Sequence, residues 1–381
     1  MTEGRLRVLV LNPGSSSLKA SVLDPPNRNP VAEVAVDWGA DATRRTDRRA
    51  AIADTLRRLE AAGPPATSIE AVGYRVVHGG TTFTSATEID DGVVDAIEAL
   101  ADLAPLHNEV AADTIRAARE LLPGVRHVAA FDTAFHASLS PAAYRYPVPE
   151  SWFREWGIRR FGFHGLSVEW SVRRAAEMLD RPAGELRLVV AHLGSGCSVT
   201  AVDGGRSVAT SMGMTPLEGL MMGTRAGSID PGVILGLLRS ERLTIDEMAD
   251  ALDHESGLLG VSGRSSDVRE LEKAEAAGDE ASALALELFV ARAAAGIAAA
   301  ATSLAALDGI VFTGGIGEHA STIRKRIVDR LGAWKIGPID ASAEDDRVLT
   351  AGDKAPAVLC IAAREDVVIA ETVQKLLGSA G

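Results

Sequence analysis

The sequence has little cysteine and too little positive charge for several classes of protein. Its only two cysteines are Cys197 and Cys360, and no CxxC pair is present. This pattern excludes a disulfide scaffold and a cysteine zinc site and favours a reducing cytoplasm. Asp and Glu number 52 against 39 Lys and Arg, for a net charge of −13, which disfavours binding to nucleic acid or to an acidic membrane surface. We therefore expect small-molecule partners, with no nucleic acid and no membrane, and a cytoplasmic location.

Long apolar runs are also missing. No uninterrupted apolar span approaches the length of a membrane, and the acidic, polar start predicts no signal peptide. Hydrophobic residues make up 46% and charged residues 24% of the chain, as in soluble globular proteins. Because 381 residues are many for one core, we expect two domains.

The opening of the chain predicts a hairpin with a polar turn. An apolar run over 8–11 ends at Asn12-Pro13-Gly14, and the next run alternates apolar with small polar residues. The turn offers hydroxyls, backbone amides and Lys19, all donors, which suits a phosphate chain. An ordinary serine-rich turn is the alternative. The P-loop pattern is not met, because no glycine stands just before Lys19 and no hydroxyl follows it.

The same pattern recurs at 188–205, with a Gly-Ser-Gly turn between two strand-like runs. Two such hairpins indicate an internal duplication, one unit per domain. The second turn lacks the third glycine of the dinucleotide fingerprint and is followed by a strand, which excludes a Rossmann site. We expect the domains to span 1–148 and 149–368, with an irregular crossing near 137–160. A C-terminal helix, 369–381, is expected to return to the first domain.

Several charged or titratable side chains lie at positions in strands and loops that indicate a functional role. Arg75 lies inside an apolar strand, where it faces either a ligand or a carboxylate such as Asp132. Asp132 ends another apolar strand, a usual position for ligand chemistry in α/β folds but also for a helix cap. Arg225 is the only cation of a glycine-dotted loop at 210–232; such long loops are usually functional, and a solvated arginine is the alternative. His164 stands beside glycines that let it reach a site, although a lone histidine is more often structural.

Two later segments are informative. The run Gly314-Gly315-Ile316-Gly317 follows an apolar strand and opens a helix, which indicates close backbone approach to a ligand. The span 281–307 is almost all Ala, Leu, Val and Ile. It is too apolar for a helix with one solvated face, and we expect a core or dimer-interface helix.

Taken in order, these segments resemble the acetokinase family, within the sugar kinase, Hsp70 and actin superfamily. The resemblance runs nearly end to end, and eight motifs in the family's order are specific although each alone is weak. The motifs are N-x-G-S-S-S-L-K from Asn12, R-V-V-H-G-G from Arg75, A-P-L-H-N from Ala104, F-D-T-A-F-H from Phe131, G-F-H-G from Gly162, H-L-G from His192, T-P-L-E-G-L-x-M-G-T-R from Thr215 and F-T-G-G-I-G-E from Phe312.

The resemblance implies an α/β fold of two duplicated actin-like ATPase (ribonuclease H-like) domains with an interdomain active-site cleft. It implies reversible, direct in-line phosphoryl transfer from ATP to acetate, giving acetyl phosphate and ADP, with Mg²⁺ as cofactor, Mn²⁺ as a substitute and a homodimer as the assembly. A carboxylate with a pKa near 4 is already ionised at neutral pH, so this nucleophile needs no general base. Arginines, a lysine, histidines and a metal are needed to bring two anions together.

The motifs also imply site residues, position by position. The matched catalytic residues are Arg75 and Arg225 as substrate and phosphoryl clamp, His164 as the phosphoryl-contacting histidine, His107 as an assisting one, and Asp132 as the catalytic aspartate. The matched pocket for the acetate methyl group is Val77, Leu106, Phe163 and Pro216. The matched magnesium pair is Asn12 and Glu365.

The matched nucleotide positions span both hairpins and two later segments. They are Ser15, Ser17, Lys19, His192, Gly194, Ser195, Gly196, Asp267, Val268, Arg269, Gly314, Gly315, Ile316 and Gly317. This chain departs from the family at Ser195 and His319, where Asn is usual, and at Val268, where Phe is usual. Further departures are Pro13, Glu109, Leu166 and Val168. Most of them touch the nucleotide side, which leaves the phosphoryl donor open.

Three alternatives follow from the same residues. A propionate or butyrate kinase, or a kinase using GTP or pyrophosphate, would share the motifs. One methylene is worth only about 1–3 kcal/mol in an apolar pocket, so acetate is preferred without excluding propionate. A nucleotide-switched binding protein of the Hsp70 or actin kind would not need cations at an acceptor site. A serine hydrolase is disfavoured because no G-x-S-x-G elbow is present.

Overall fold

The computed structural model describes residues 6–14, 17–37, 45–342, 346–350 and 356–378. The chain folds into two compact units. Unit 1 comprises Met1–Ala137, Phe163–Leu166 and Arg364–Gly381, and unit 2 comprises Ser138–Gly162 and Ser167–Ala363. Each unit is built on a six-stranded sheet flanked by helices.

The elements are numbered along the chain. The strands are β1 (Val8–Pro13), β2 (Ser17–Leu23), β3 (Ala32–Asp37), β4 (Ala71–Val76), β5 (Thr87–Glu88), β6 (Arg126–Phe131), β7 (Arg187–Leu193), β8 (Cys197–Asp203), β9 (Arg206–Thr210), β10 (Gly309–Thr313), β11 (Arg347–Val348) and β12 (Ala357–Cys360). The helices are α1 (Arg45–Ala62), α2 (Asp91–Ala99), α3 (Pro105–Leu121), α4 (Pro141–Tyr144), α5 (Glu150–Trp156), α6 (Gly165–Met178), α7 (Pro231–Arg239), α8 (Ile245–Asp253), α9 (Gly257–Ser262), α10 (Val268–Ala276), α11 (Glu280–Ala301), α12 (Gly314–His319), α13 (Ser321–Arg330) and α14 (Glu365–Gly378).

The sheet of unit 1 has the strand order β3-β2-β1-β4-β6-β5. Strands β1 and β2 form the predicted hairpin, in which Asn12 lies opposite Lys19. Strands β1, β4 and β6 run parallel, and β3 and β5 are antiparallel to their neighbours. The three parallel strands are almost fully buried, which explains why they read as continuous apolar runs.

The sheet of unit 2 repeats this arrangement strand for strand. Its order, β9-β8-β7-β10-β12-β11, has the same sequence of orientations: an antiparallel hairpin β7–β8, parallel β7, β10 and β12, and an antiparallel edge. The duplication predicted from the two hairpins is therefore confirmed. In both units the parallel strands deliver their carboxyl ends to one edge, where α/β proteins place ligand chemistry.

The unit boundaries differ from those expected at three places, one of which is that Phe163–Leu166 belongs to unit 1. Unit 2 begins at Ser138, whose Oγ donates to the carbonyl of Ser207 at 2.8 Å. Arg160 fastens the same segment by donating to the carbonyls of Ser211 and Met212. The return to unit 1 begins at Arg364, because α14 packs as a whole on β1 and β4.

Unit 2 contains a broken helical segment and a long apolar helix. The segment 244–258 contributes to two helices, α8 and α9, because the chain turns at Gly257, whose φ of 62° is left-handed. Among the described residues, α11 has the length and composition of a helix that could cross a membrane, although Glu287 and Arg292 interrupt its apolar residues. Helix α11 packs against β7, β8, α9, α10 and α13 and is a core helix of unit 2.

Candidate active site

Arg75 is the centre of a buried charge cluster in unit 1. Its Nη2 donates to Asp132 Oδ2 at 2.6 Å, and its Nε lies 3.1 Å from the same oxygen and 3.7 Å from Glu365 Oε2. Arg75 stands near the carboxyl end of β4, and Asp132 follows the parallel neighbour β6 directly, so the two side chains meet at one edge of the sheet. The ion pair with Asp132 that the sequence offered as one alternative is present.

Asn12 and Glu365 complete this cluster. Asn12 Nδ2 donates to Glu365 Oε2 at 2.8 Å, and Arg75 Nη1 lies 3.4 Å from Asn12 Oδ1. Asn12 comes from the end of β1 and Glu365 from the first residue of α14, separated by 353 positions in the chain. We call Asn12, Arg75, Asp132 and Glu365 the carboxylate–arginine cluster.

The cluster holds two carboxylates against one guanidinium. Asp132 is fully buried, and its Oδ1 has no hydrogen-bond partner among the described residues. Burial raises the pKa of Asp132, and the charge of Glu365 adds to this, although Arg75 opposes both. Burial alone would lower the pKa of Arg75, but Asp132 and Glu365 raise it above its ordinary value. The excess negative charge and the unpartnered oxygen favour binding of a second cation.

The backbone of His164 and Gly165 makes further hydrogen bonds to Asp132. His164 has a left-handed φ of 58°, an uncommon conformation for a residue with a side chain, which is typical of functional sites. A backbone hydrogen bond from His164 reaches the Asp132 carboxylate and opposes the rise in its pKa. Gly165 N–H donates to the Asp132 carbonyl at 3.1 Å, and a Cβ at Gly165 would lie 2.1 Å from that oxygen. Only glycine fits this approach.

The residues matched to the methyl pocket occur in both units. Val77 and Phe163 belong to unit 1 and are 6% and 1% exposed. Leu106 lies in the first turn of α3, beside the half-buried His107, but its side chain lies outside the described set. Pro216 belongs to unit 2, where its carbonyl accepts from Arg225 Nη1 at 3.3 Å.

Arg225 is not a solvated arginine. Its side chain is 17% exposed, and its acidic partner, Asp253, lies 3.8 Å away. Burial lowers the pKa of Arg225, and the nearby Asp253 and Cys197 do not fully offset this effect. The guanidinium is therefore placed to gain from an additional anion.

The glycine-containing segments 194–196 and 314–317 lie close together in unit 2, at the carboxyl ends of the parallel strands β7 and β10. A Cβ at Gly314 would lie 3.1 Å from His192 Nε2, and one at Gly194 would lie 3.8 Å from the amide of Gly315. A Cβ at Gly315 would have no neighbour within 4 Å, so there is open space beside this turn. His192 is oriented by Ser167, whose Oγ lies 2.9 Å from His192 Nδ1. The structure thus groups several predicted nucleotide positions: His192, Gly194, Ser195, Gly196, Gly314, Gly315, Ile316 and Gly317.

The remaining nucleotide positions differ in what they offer a ligand. Asp267 caps α10 and pairs with the exposed side chain of Arg269 at 2.6 Å. Val268 is 4% exposed, which leaves it little surface for a nucleotide. In unit 1, Lys19 is exposed on β2, where Ser17 also lies, whereas Ser15 lies outside the described residues.

Four further buried polar residues hold segments next to the site residues; they stand in the matched motifs, but the sequence analysis assigned them no role. His78 and Asn108 are fully buried and bonded to each other through the His78 backbone. Thr133 Oγ1 accepts from the amide of Gly79 at 3.0 Å, and His136 Nε2 donates to the Phe163 carbonyl at 2.9 Å. Burial lowers the pKa of His136 to about 4, so its ring is neutral. Polar residues beside apolar strands were the available signal.

A separate cavity of about 510 Å³ lies at the start of β6, at the far end of that strand from Asp132. Its lining includes Arg116 and Arg119. Arg116 pairs with Glu98 and Arg119 with Asp91, each at 2.7 Å. Because these charges are already paired, we assign the cavity no ligand.

Comparison with known proteins agrees with this geometry. The crystal structure of Porphyromonas gingivalis acetate kinase matches with a TM-score of 0.87 and 33% identity, covering 98% of this chain and 100% of that one. The fold and the site define a kinase that transfers phosphate to a carboxylate.

The acetokinase family model matches residues 7–371, and the chain belongs to that family. The acetate kinase of Deinococcus radiodurans is 43% identical over 98% of each chain. The propionate kinase of an Enterobacter species is also 43% identical, over 95% of this chain and 94% of its own. The resemblance inferred from the eight motifs is confirmed.

Proposed function

We propose that this enzyme catalyses the reversible, direct in-line transfer of a phosphoryl group from ATP to acetate, giving acetyl phosphate and ADP. The observation that carries the proposal is the buried carboxylate–arginine cluster, in a chain of a family that phosphorylates carboxylates. Acetate is ionised at neutral pH, so no residue needs to remove a proton from it. The chain's task is to hold two anions in line and to offset their repulsion.

The two buried arginines have different proposed tasks. Arg75 binds the acetate carboxylate, since a planar guanidinium matches a carboxylate and this one is held in place by Asp132. Arg225 stabilises the transferring phosphoryl group, because its weak pairing with Asp253 leaves it attractive to an anion. His164 contacts the phosphoryl group and His107 assists it.

A magnesium site is proposed at the carboxylate–arginine cluster. The donor set of Asn12, Asp132 and Glu365 consists of amide and carboxylate oxygens, which Mg²⁺ prefers. The unpartnered Oδ1 of Asp132 and the excess negative charge fit a divalent cation. Asn12 and Glu365 would hold it, partly through water, with Mn²⁺ as a substitute. When bound, the ion supplies charge neutralisation for the phosphate oxygens.

Acetate is the proposed acceptor because the matched pocket residues are apolar. Val77 and Phe163 are buried and provide a rigid wall suited to a methyl group. Propionate is the second candidate, since a relative named propionate kinase is as similar to this chain as one named acetate kinase. One methylene changes the preference by about 1–3 kcal/mol, so both acceptors need testing.

ATP is the proposed donor, bound by the glycine turns of unit 2. The open space where a Cβ of Gly315 would stand leaves room for a polyphosphate beside this turn. The exposed Ser195 and the buried Val268 leave the base-binding side unlike the family pattern. GTP and pyrophosphate therefore belong in the donor panel.

A homodimer is proposed through unit 2. Helix α7 has no buried residue, although it carries Val233 and Leu235, which are 51% and 49% exposed. Ile245, at the start of α8, is 76% exposed. Large apolar side chains that are exposed on α7 and at the start of α8 suit a subunit interface. Cys197 and Cys360 are buried thiols outside any disulfide, which fits the proposed reducing cytoplasm.

The experiment that tests the function is a coupled assay with purified protein and Mg²⁺. Acetate, propionate and butyrate serve as acceptors, and ATP, GTP and pyrophosphate as donors. We expect the highest kcat/KM with ATP and acetate. A preference for butyrate of more than about tenfold would overturn the proposed acceptor. ATP turnover that no carboxylate alters would favour a nucleotide-switched binding protein.

A further inference from the structure

Three successive backbone amides in the turn that follows β4 donate hydrogen bonds to buried side chains. His78 N–H donates to Asn108 Oδ1 at 3.0 Å. Gly79 N–H donates to Thr133 Oγ1 at 3.0 Å. Gly80 N–H donates to His78 Nδ1 at 2.9 Å. Because each bond is made in the interior, the turn cannot shift without leaving a buried amide unsatisfied.

Asn108 joins this turn to two other elements. It is fully buried, and its Nδ2 donates to the carbonyl of His78 at 2.9 Å and to that of Ile97 at 3.2 Å. Asn108 lies in the first turn of α3, directly after His107, and His78 directly follows Val77. One side chain therefore fixes the spacing between two segments that carry proposed site residues.

His78 also contacts the ring of Phe163. The two rings meet edge to face, with centroids 5.4 Å apart and an interplanar angle of 68°, a favourable geometry for aromatic pairs. The backbone of Phe163 is held separately, by the bond from His136 to its carbonyl. A change at His78 would therefore release the Phe163 ring without releasing its chain.

We propose that His78 and Asn108 are positioning residues that set the size of the acyl pocket, and so determine how strongly the enzyme prefers acetate to longer carboxylates. Asn108 holds the backbone next to Val77, and the His78 ring holds Phe163. A tightly packed wall of the acyl pocket excludes an added methylene group, whereas a loosened wall accommodates it. This inference rests on the proposed function, because it concerns selectivity among carboxylate acceptors.

Two substitutions at His78 separate its ring from its hydrogen bond. His78→Asn keeps an acceptor near the Nδ1 position for Gly80 N–H but removes the ring from Phe163. His78→Phe keeps a ring and removes the acceptor. Both remove Nε2, so their difference isolates these two features. We expect the ratio of kcat/KM for acetate to that for propionate to fall at least about fivefold in His78→Asn. In His78→Phe we expect it to stay within about twofold of wild type.

A second pair tests Asn108 in case a His78 variant does not fold. Asn108→Ala removes the link to the His78 backbone, whereas Thr114→Val removes a buried hydrogen bond of the same helix, to the carbonyl of Val110. Asn108→Ala should raise the KM for acetate about tenfold or more and lower the same selectivity ratio. Thr114→Val should change neither. The KM for ATP, whose proposed glycine turns lie in unit 2, should stay within about twofold in both.

The possible outcomes distinguish a failure of this inference from a failure of the proposed function on which it rests. If wild type phosphorylates neither acetate nor propionate, the proposed function fails. If wild type is active but His78→Asn and Asn108→Ala keep its selectivity while losing melting temperature, the two residues are merely structural and the inference is overturned. An equal shift in Thr114→Val would overturn it as well.

Discussion

Replacing Arg75 by glutamine should destabilise the protein as well as stop turnover. Arg75 is the partner of Asp132, whose side chain is fully buried, with 2.6 Å between Nη2 and Oδ2. Glutamine would leave that carboxylate without its positively charged partner. Breaking a buried ion pair by removing one member costs about 3–5 kcal/mol, because the remaining charge stays in the interior. We expect a loss of unfolding free energy in that range near neutral pH.

The size of this loss should depend on pH in a defined direction. Burial and Glu365 raise the pKa of Asp132 even in the intact cluster, and removal of Arg75 raises it further. A carboxyl group whose pKa is higher in the folded than in the unfolded state adds stability at low pH, and this stability disappears as pH rises through the folded pKa. The deficit of Arg75→Gln should therefore be smaller near about pH 5 than near about pH 8.

Urea denaturation followed by far-ultraviolet circular dichroism measures this loss. The double variant Arg75→Gln/Asp132→Asn should recover at least about half of the lost free energy and stay inactive, because a neutral amide replaces the unpaired carboxylate. Arg269→Gln is the matched control, since its ion pair with Asp267 is exposed and worth less than about 1 kcal/mol. Wild-type stability in Arg75→Gln, or no recovery in the double variant, would refute the reasoning.

Three further predictions follow. Burial lowers the pKa of His127 to about 4. The neutral histidine therefore makes the folded state about 3 kcal/mol more stable above pH 6.5 than at low pH, and this stability is lost as pH falls toward 4. In His127→Gln, the free energy of unfolding should fall less steeply on the acid side of its pH profile. Gly165→Ala places a Cβ 2.1 Å from the Asp132 carbonyl and should abolish activity, whereas Gly184→Ala, with no neighbour within 4 Å, should not. Val233→Asp and Leu235→Asp should shift the protein to monomer in analytical ultracentrifugation.

Each of these has an outcome that contradicts it. An unchanged acid limb in His127→Gln would show that folding does not lower the pKa of this histidine. Near-wild-type turnover in Gly165→Ala would mean that the loop can move away from Asp132. A monomeric wild type, or a dimer that persists with aspartate on α7, would remove helix α7 from the proposed interface.

Local patterns in the sequence predicted the elements that carry the site. The hairpins β1–β2 and β7–β8, and with them the duplication, followed from apolar runs broken by glycine turns. The pair of Arg75 and Asp132 was one of two alternatives, because a charge inside an apolar strand needs either a ligand or a carboxylate. Hydrophobic periodicity and turn signals depend only on residues that are close in the chain, and they are therefore enough to predict strands and turns.

Contacts between distant segments could not be predicted in this way. The bond between Asn12 and Glu365 joins residues 353 positions apart, and only the motif resemblance had paired them. The network of His78 and Asn108 depends on a fully buried amide whose partners lie on other elements. The break between α8 and α9 depends on the left-handed Gly257, which helical periodicity does not register.

The central claim is that a carboxylate oxygen of the acceptor attacks the terminal phosphorus of the nucleotide. The most direct test supplies acetate labelled with ¹⁸O to the enzyme with ATP and Mg²⁺ and follows the products by ³¹P NMR. We expect ADP and acetyl phosphate that carries ¹⁸O bonded to phosphorus. AMP and pyrophosphate, or acetyl phosphate without phosphorus-bound ¹⁸O, would contradict the account.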